Sequence, residues 1–282
     1  MELCRAIARA QQLKNCLRCG LMHSAAAHPT HSIEVDHETD MISFVPQRAH
    51  TGTVIFAHGL GDTAAGWADA IAMIAQRPGL SHVRFVLPTA PTQPVTLNMG
   101  MQMPSWYDIH GLAERADETC DGLDESQATI EAILRREASE HGVPFSRIVL
   151  GGFSQGGALA LWTGLQQQKQ GASASAEGTG TRLAGVLCMS GYLPRAHAFK
   201  CDDNPPQVLI CHGDADPMVK FQYAEATRDQ LAAAAVDVLF ETYRGMEHCA
   251  CREEIDDVGR WLEARLPVSI ASGDGHTSGS KK

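Results

Sequence analysis

The chain has 282 residues, 44% of them hydrophobic and 20% charged, with a formal net charge of −10. That composition suits a globular protein with a full core, in one large α/β domain or two small ones. The acidic balance and the lack of any long basic run argue against nucleic acid or an anionic membrane surface as the main partner. No apolar run reaches the roughly 18 residues needed to cross a bilayer, so any contact with lipid would be peripheral.

Residues 1–38 read as a separate, flexible extension. Arg5, Arg9, Lys14 and Arg18 stand against Glu2 alone, and the apolar core of a secretory signal is missing. A disordered extension is the first reading and a mitochondrial-type presequence the second. Cys4, Cys16 and Cys19 lie beside basic residues and are candidate palmitate acceptors. The chain has nine cysteines, and Cys16-x-x-Cys19 has no second pair at metal-ligand spacing. Dispersed thiols fit a reducing compartment, which makes the cytoplasm the expected location.

The globular domain is expected over 39–268, starting with a strand at Met41–Val45. Thr53–Ala57 is a continuous apolar run of the kind buried in a parallel sheet. It ends in His58-Gly59-Leu60-Gly61-Asp62-Thr63, ahead of a helix from about Ala65 to Gln76. This turn has neither glycine pattern of a phosphate-binding loop. In a serine hydrolase a loop at this place lends a main-chain N–H to the oxyanion hole, which nominates Leu60. After a strand at His82–Leu87, residues 88–108 read as one long proline-containing loop. Leu97, Met99, Met101, Met103 and Trp106 along it are suited to walling an apolar ligand, with packing onto the domain as the plainer alternative. A helix is expected over 118–141, with Leu123, Ile130, Ile133 and Leu134 as its apolar positions.

Arg147–Gly151 then reads as a buried strand, and Gly157–Trp162 as the first turns of a buried helix. Between them lies Gly152-Phe153-Ser154-Gln155-Gly156, a G-x-S-x-G. So sharp a turn strains its central residue and needs small flanking residues, because larger side chains would strike the neighbouring strand and helix. It lifts the Ser154 hydroxyl clear of the sheet and aims the helix N-terminus at the reaction centre. Ser154 is the candidate nucleophile, and the Gln155 main chain the second oxyanion donor.

A serine hydroxyl needs a base to take its proton and a carboxylate to orient that base. On this type of fold they follow the serine as acid, then histidine. Of 13 histidines only His197, His212, His248 and His276 come after Ser154. His276 lies in a Gly/Ser-rich tail, 269–282, expected to be disordered. His212 ends the apolar strand 207–212 and belongs to the loop that carries Asp214 and Asp216. That leaves His248, after the strand Val238–Tyr243, as the base. Asp216 is preferred as the acid, because Gly213 turns the chain before it and Pro217 fixes the backbone after it; Asp214 would cap the loop. Residues 166–181 form a polar low-complexity insert, Leu183–Ser190 resumes the sheet, and helices are expected at about 220–235 and 251–266. The repeated β-α alternation gives a mostly parallel sheet with helices on both faces.

FAHGLGDTAAGW, LPTAPTQPVTLNMGMQMPSWYDI, GGFSQGGALAL, CHGDADPMV and GMEHC together resemble the acyl-protein thioesterase group of α/β-hydrolases, also called the lysophospholipase/carboxylesterase family, over about residues 41–266. The resemblance implies a single α/β-hydrolase domain, Ser154, Asp216 and His248 as triad, and Leu60 with Gln155 as oxyanion donors. It also implies hydrolysis of palmitoyl thioesters on protein cysteines, and of lysophospholipids or simple esters, without a metal or organic cofactor. The chain departs from the family pattern in its N-terminal extension, the 166–181 insert and Cys249-Ala250-Cys251. The alternatives are a lysophospholipase or short-chain carboxylesterase and, in another class, an inactive hydrolase-fold protein that binds acyl groups. A complete triad in the right order argues against the last.

Overall fold

In the computed structural model residues 28–111, 119–166 and 182–268 are described. The basic N-terminal stretch with Cys4, Cys16 and Cys19, most of the polar insert, and the tail with His276 lie outside them.

The strands β1 (His31–Asp36), β2 (Met41–Pro46), β3 (Gly52–Ala57) and β4 (Val83–Leu87) come first, with helix α1 (Ala64–Ala75) between the last two. A small hairpin, β5 (Thr92–Val95) and β6 (Met101–Pro104), precedes helix α2 (Leu123–Glu140). Then follow β7 (Ile148–Phe153), α3 (Gln155–Gly164), β8 (Gly185–Met189), β9 (Val208–Gly213), α4 (Phe221–Ala233), β10 (Val238–Tyr243) and α5 (Arg252–Arg265). Eight strands make one sheet in the order β1-β2-β4-β3-β7-β8-β9-β10. From β4 to β10 every pairing is parallel, and β2 and β1 add antiparallel strands at one edge.

Successive residues of a strand face opposite sides of the sheet, and the core divides accordingly. Ile55, Leu150, Val186 and Ile210 pack with Leu123, Ile130 and Leu134 of α2 and with α3. Val54, Phe56, Val149, Leu187 and Leu209 pack with Trp67 and Ile71 of α1 and with Val258, Trp261 and Leu262 of α5. Every residue of α3 is buried, so the helix behind Ser154 is seated in the core.

Two boundaries differ from the sequence reading. Strand β1 falls inside the expected 1–38 extension, so the folded domain begins before residue 39. Its apolar residues Ile33 and Val35 are 50% and 45% exposed, so their alternation reports no buried face. The strand is held by its ladder to β2 and by the His31 ring, whose Nε2 donates to the Val83 carbonyl at 2.8 Å. The expected loop 88–108 contains the β5–β6 hairpin, with Val95 opposite Met101 and Pro94 opposite Gln102. Proline is tolerated there because each strand has an open edge. Among the described residues no helix is long and apolar enough to cross a membrane.

Candidate active site

All the parallel strands run toward the same end of the sheet, and the loops leaving that end carry the polar chemistry. At the end of β7, Ser154 is held at φ 54° and ψ −117°, a conformation that costs a non-glycine residue on the order of 1–3 kcal/mol. What enforces it is contact with no spare room. A Cβ on Gly156 would lie 2.1 Å from the Ala57 carbonyl oxygen, and one on Gly152 would lie 2.4 Å from the Gly156 backbone. The Ser154 N–H donates to the Met189 carbonyl of β8 at 2.8 Å, tying the turn to the next strand.

The structure brings Ser154, His248 and Asp216 together from three separate loops. The Ser154 hydroxyl lies 2.9 Å from Nε2 of His248, whose Nδ1 lies 2.6 Å from Oδ2 of Asp216. Asp216 is buried, and its other oxygen accepts from the Met218 and Val219 N–H groups at 2.8 and 2.9 Å. Burial works to raise its pKa, but the hydrogen bond and charge of His248 and the two backbone N–H groups outweigh it and hold the carboxyl below its ordinary value. An ionised Asp216 keeps the His248 proton on Nδ1 and leaves Nε2 free to accept from Ser154. Asp214, by contrast, is exposed, and instead of capping its own loop as expected it accepts from the Gly245 N–H at 2.5 Å, tying its loop to the one that leads to His248. His212 is fully buried, donates from Nε2 to the Val219 carbonyl at 2.8 Å and sits 3.6 Å from Asp216. Burial lowers its pKa, so it supports the acid loop as a neutral ring.

The loop after β3 reaches the same place. A Cβ on Gly59 would lie 3.4 Å from the Ser154 Cβ. His58 accepts the Ala90 N–H on Nε2 at 3.0 Å, so its ring proton is on Nδ1 and is donated to the Gly59 carbonyl at 2.7 Å. The Gly59–Leu60 peptide is trans, so holding its carbonyl at the His58 ring turns the Leu60 N–H the opposite way. Gln155 is the first residue of α3, and no carbonyl of its own helix reaches its N–H.

The sequence reading missed how this loop is braced. The wholly buried Gln155 carboxamide accepts the Trp106 N–H at 3.0 Å and donates to the Tyr107 carbonyl at 2.6 Å. The Trp106 indole N–H donates to the His58 carbonyl at 2.8 Å. Trp106 is thus a strut, 1% exposed, and does not wall a groove as expected from sequence. Leu97 is half-buried against the core, and Met103 is turned inward, its Sδ accepting from the Asn98 amide at 3.2 Å. Met99 and Met101, 88% and 52% exposed, are the two of the five that present apolar surface. The only sequence signal for the brace was polar: a glutamine inside an otherwise apolar helix start has to find partners. Among the described residues no cluster of His, Cys, Asp or Glu is arranged to hold a metal ion.

A phospholipase/carboxylesterase family model matches residues 40–266. Acyl-protein thioesterase 1 of Mycosarcoma maydis is 45% identical, with 77% of this chain and 92% of the relative covered. The acyl-protein thioesterase 1 homolog 1 of Dictyostelium discoideum is 42% identical with the same coverage of both chains. Among solved structures, Zea mays acyl-protein thioesterase 2 matches with a TM-score of 0.67 at 29% identity, over 80% of this chain and 98% of that one. With that match over most of the chain and relatives this similar, the chain belongs to the phospholipase/carboxylesterase family of α/β-hydrolases.

Proposed function

We propose that the chain is a serine hydrolase that cleaves long-chain acyl thioesters on protein cysteines, and related carboxylic esters, through an acyl-enzyme on Ser154. The observation that carries this reading is the relay from Ser154 through His248 to Asp216, at 2.9 and 2.6 Å. His248 takes the serine proton as Oγ attacks the acyl carbonyl, and Asp216 keeps the imidazole in the productive tautomer. The Leu60 and Gln155 N–H groups hold the oxyanion, already oriented before charge develops. His248 then protonates the leaving thiolate or alkoxide. Water, activated by the same ring, releases the fatty acid and restores Ser154.

The thioesterase relatives support the leaving group, a protein cysteine. Met99 and Met101 support an apolar acyl chain, and a peripheral contact with the membrane in which S-acylated substrates sit. Lysophospholipids are the competing substrates. Purified protein should turn over a palmitoyl-thioester peptide faster than lysophosphatidylcholine or p-nitrophenyl acetate. Ser154→Ala should abolish all three and lose labelling by a fluorophosphonate probe. Labelling that survives in Ser154→Ala sinks the nucleophile; a preference for lysophosphatidylcholine replaces the substrate and keeps the chemistry.

A further inference from the structure

The hydrogen bonds of His248 pin its two ring nitrogens, one to Asp216 and one to Ser154. They do little to fix the tilt of the ring plane about the line joining those nitrogens. The residue next to the serine supplies a face for that plane. The Phe153 ring lies 4.9 Å from the His248 ring, centroid to centroid, with the planes inclined by 45°. Phe153 is itself wedged. Trp67 of α1 lies 5.0 Å from it on another side, and Trp67 rests 4.8 Å from Phe56 inside the core. Its Cδ1 would be 3.2 Å from a Cβ on Gly59, so the same ring also fills the space over the oxyanion loop.

We propose that Phe153 is a positioning residue for the base: it fixes the tilt of His248 and offers the imidazolium an aromatic face as charge develops during acyl transfer. The reading rests on Ser154, His248 and Asp216 acting as proposed above. An aromatic face attracts a cation more strongly than a neutral ring. The contact therefore stabilises the state in which His248 holds the serine proton more than the resting state. Interactions that strengthen only on the way to the transition state raise kcat and leave KM alone. The wedge means the ring needs no rearrangement when the proton moves. The titratable groups around His248 are Asp216 ahead of Nδ1, the neutral His212 ring beside that carboxylate, and Glu247 on its own loop. None lies on β7, so substituting Phe153 removes the aromatic face without removing a charge.

The test compares Phe153→Leu, which keeps apolar bulk and loses the ring, with Phe153→Tyr, which keeps the ring. Both are assayed on a soluble acyl thioester, with thermal melts run alongside. Leu should lower kcat by about 3- to 30-fold, the range of a cation–π contact, at unchanged KM, and Tyr should restore it. If Leu brings the melt into the assay range, Phe153→Met makes the same comparison with a more adaptable side chain. A Leu or Met variant with parental kcat overturns the proposal, as does a loss that Tyr shares or one confined to KM. Ser154→Ala is run beside them. If it remains active, the catalytic reading has failed; if it is dead while Leu is unimpaired, only the role of Phe153 has.

Discussion

Changing Asp216 to asparagine alters the chemistry with almost no change in shape. Oδ1 of Asp216 accepts from two backbone donors, the Met218 and Val219 N–H groups, and only an oxygen can take that place. In Asp216→Asn the amide nitrogen is therefore forced toward His248, at the position now 2.6 Å from Nδ1. Two donors cannot face each other, so Nδ1 must give up its proton and the ring must carry it on Nε2. Nε2 then points a hydrogen at Ser154 and cannot accept one. With both neighbours in place and the tautomer wrong, kcat should fall by about 10⁴-fold, or roughly 5 kcal/mol of transition-state stabilisation. The melting temperature should move little, because the two loop hydrogen bonds survive. Asp214→Asn should leave kcat within about threefold, since its exposed carboxylate holds only the Gly245 N–H. Burst and steady-state kinetics on a p-nitrophenyl ester read both variants. An Asp216→Asn enzyme with a tenth or more of parental kcat would refute the tautomer argument, and a large loss in Asp214→Asn would hand the acid's role to that residue.

Gly156→Ala places a Cβ 2.1 Å from the Ala57 carbonyl and should cost about 3 kcal/mol or more, a fall of roughly 6–12 °C in melting temperature together with lost activity; an unchanged melt would mean that α3 is not seated as described. Replacing Met99 and Met101 together with serine should lower kcat/KM for sixteen-carbon thioesters while sparing acetyl esters, because each buried methylene is worth about 0.8 kcal/mol. Equal losses on both would assign the hairpin to the fold and not to the acyl chain. Burial pushes the Glu254 carboxyl up to about 8 from 4.5. The folded chain thus keeps a proton that the unfolded chain has shed, and stability present below 4.5 drains away as pH rises toward about 8. Glu254→Gln should flatten urea midpoints between about pH 5 and pH 8, and a variant whose stability keeps the parental slope would show that the carboxyl is not held neutral.

The elbow was legible because its constraint is severe and local. Gly152 and Gly156 stand where any Cβ would strike backbone, and no other residue type satisfies that spacing. The order of acid and histidine then removed alternatives by topology, and the observed loops bring Asp216 and His248 together over 32 residues of sequence. The helices α2 and α5 were legible because their apolar residues recur on one face, and the strands β3, β7 and β9 because each is a short continuous apolar run buried on both faces of the sheet. Elements whose residues do not report burial were lost. Ile33 and Val35 in β1 are apolar and exposed, and β5 carries a proline.

Trp106 shows why the hairpin could be seen as important and still be misread. A tryptophan among methionines suggests a ligand wall, and composition says nothing about which way the ring faces. The direction is set by two polar demands far apart in sequence. The His58 carbonyl needs a donor at the turn after β3, and the buried Gln155 carboxamide needs partners beside the nucleophile. Trp106 meets both, one with its indole and one with its backbone, and an indole so used cannot also lie open to a fatty chain. The base of the hairpin, the oxyanion loop and the elbow are therefore joined through buried hydrogen bonds, while Met99 and Met101 at the other end remain in solvent. A side chain at the tip can change to suit a different acyl group without disturbing Ser154. A change at Trp106 or in the Gln155 side chain reaches the nucleophile directly.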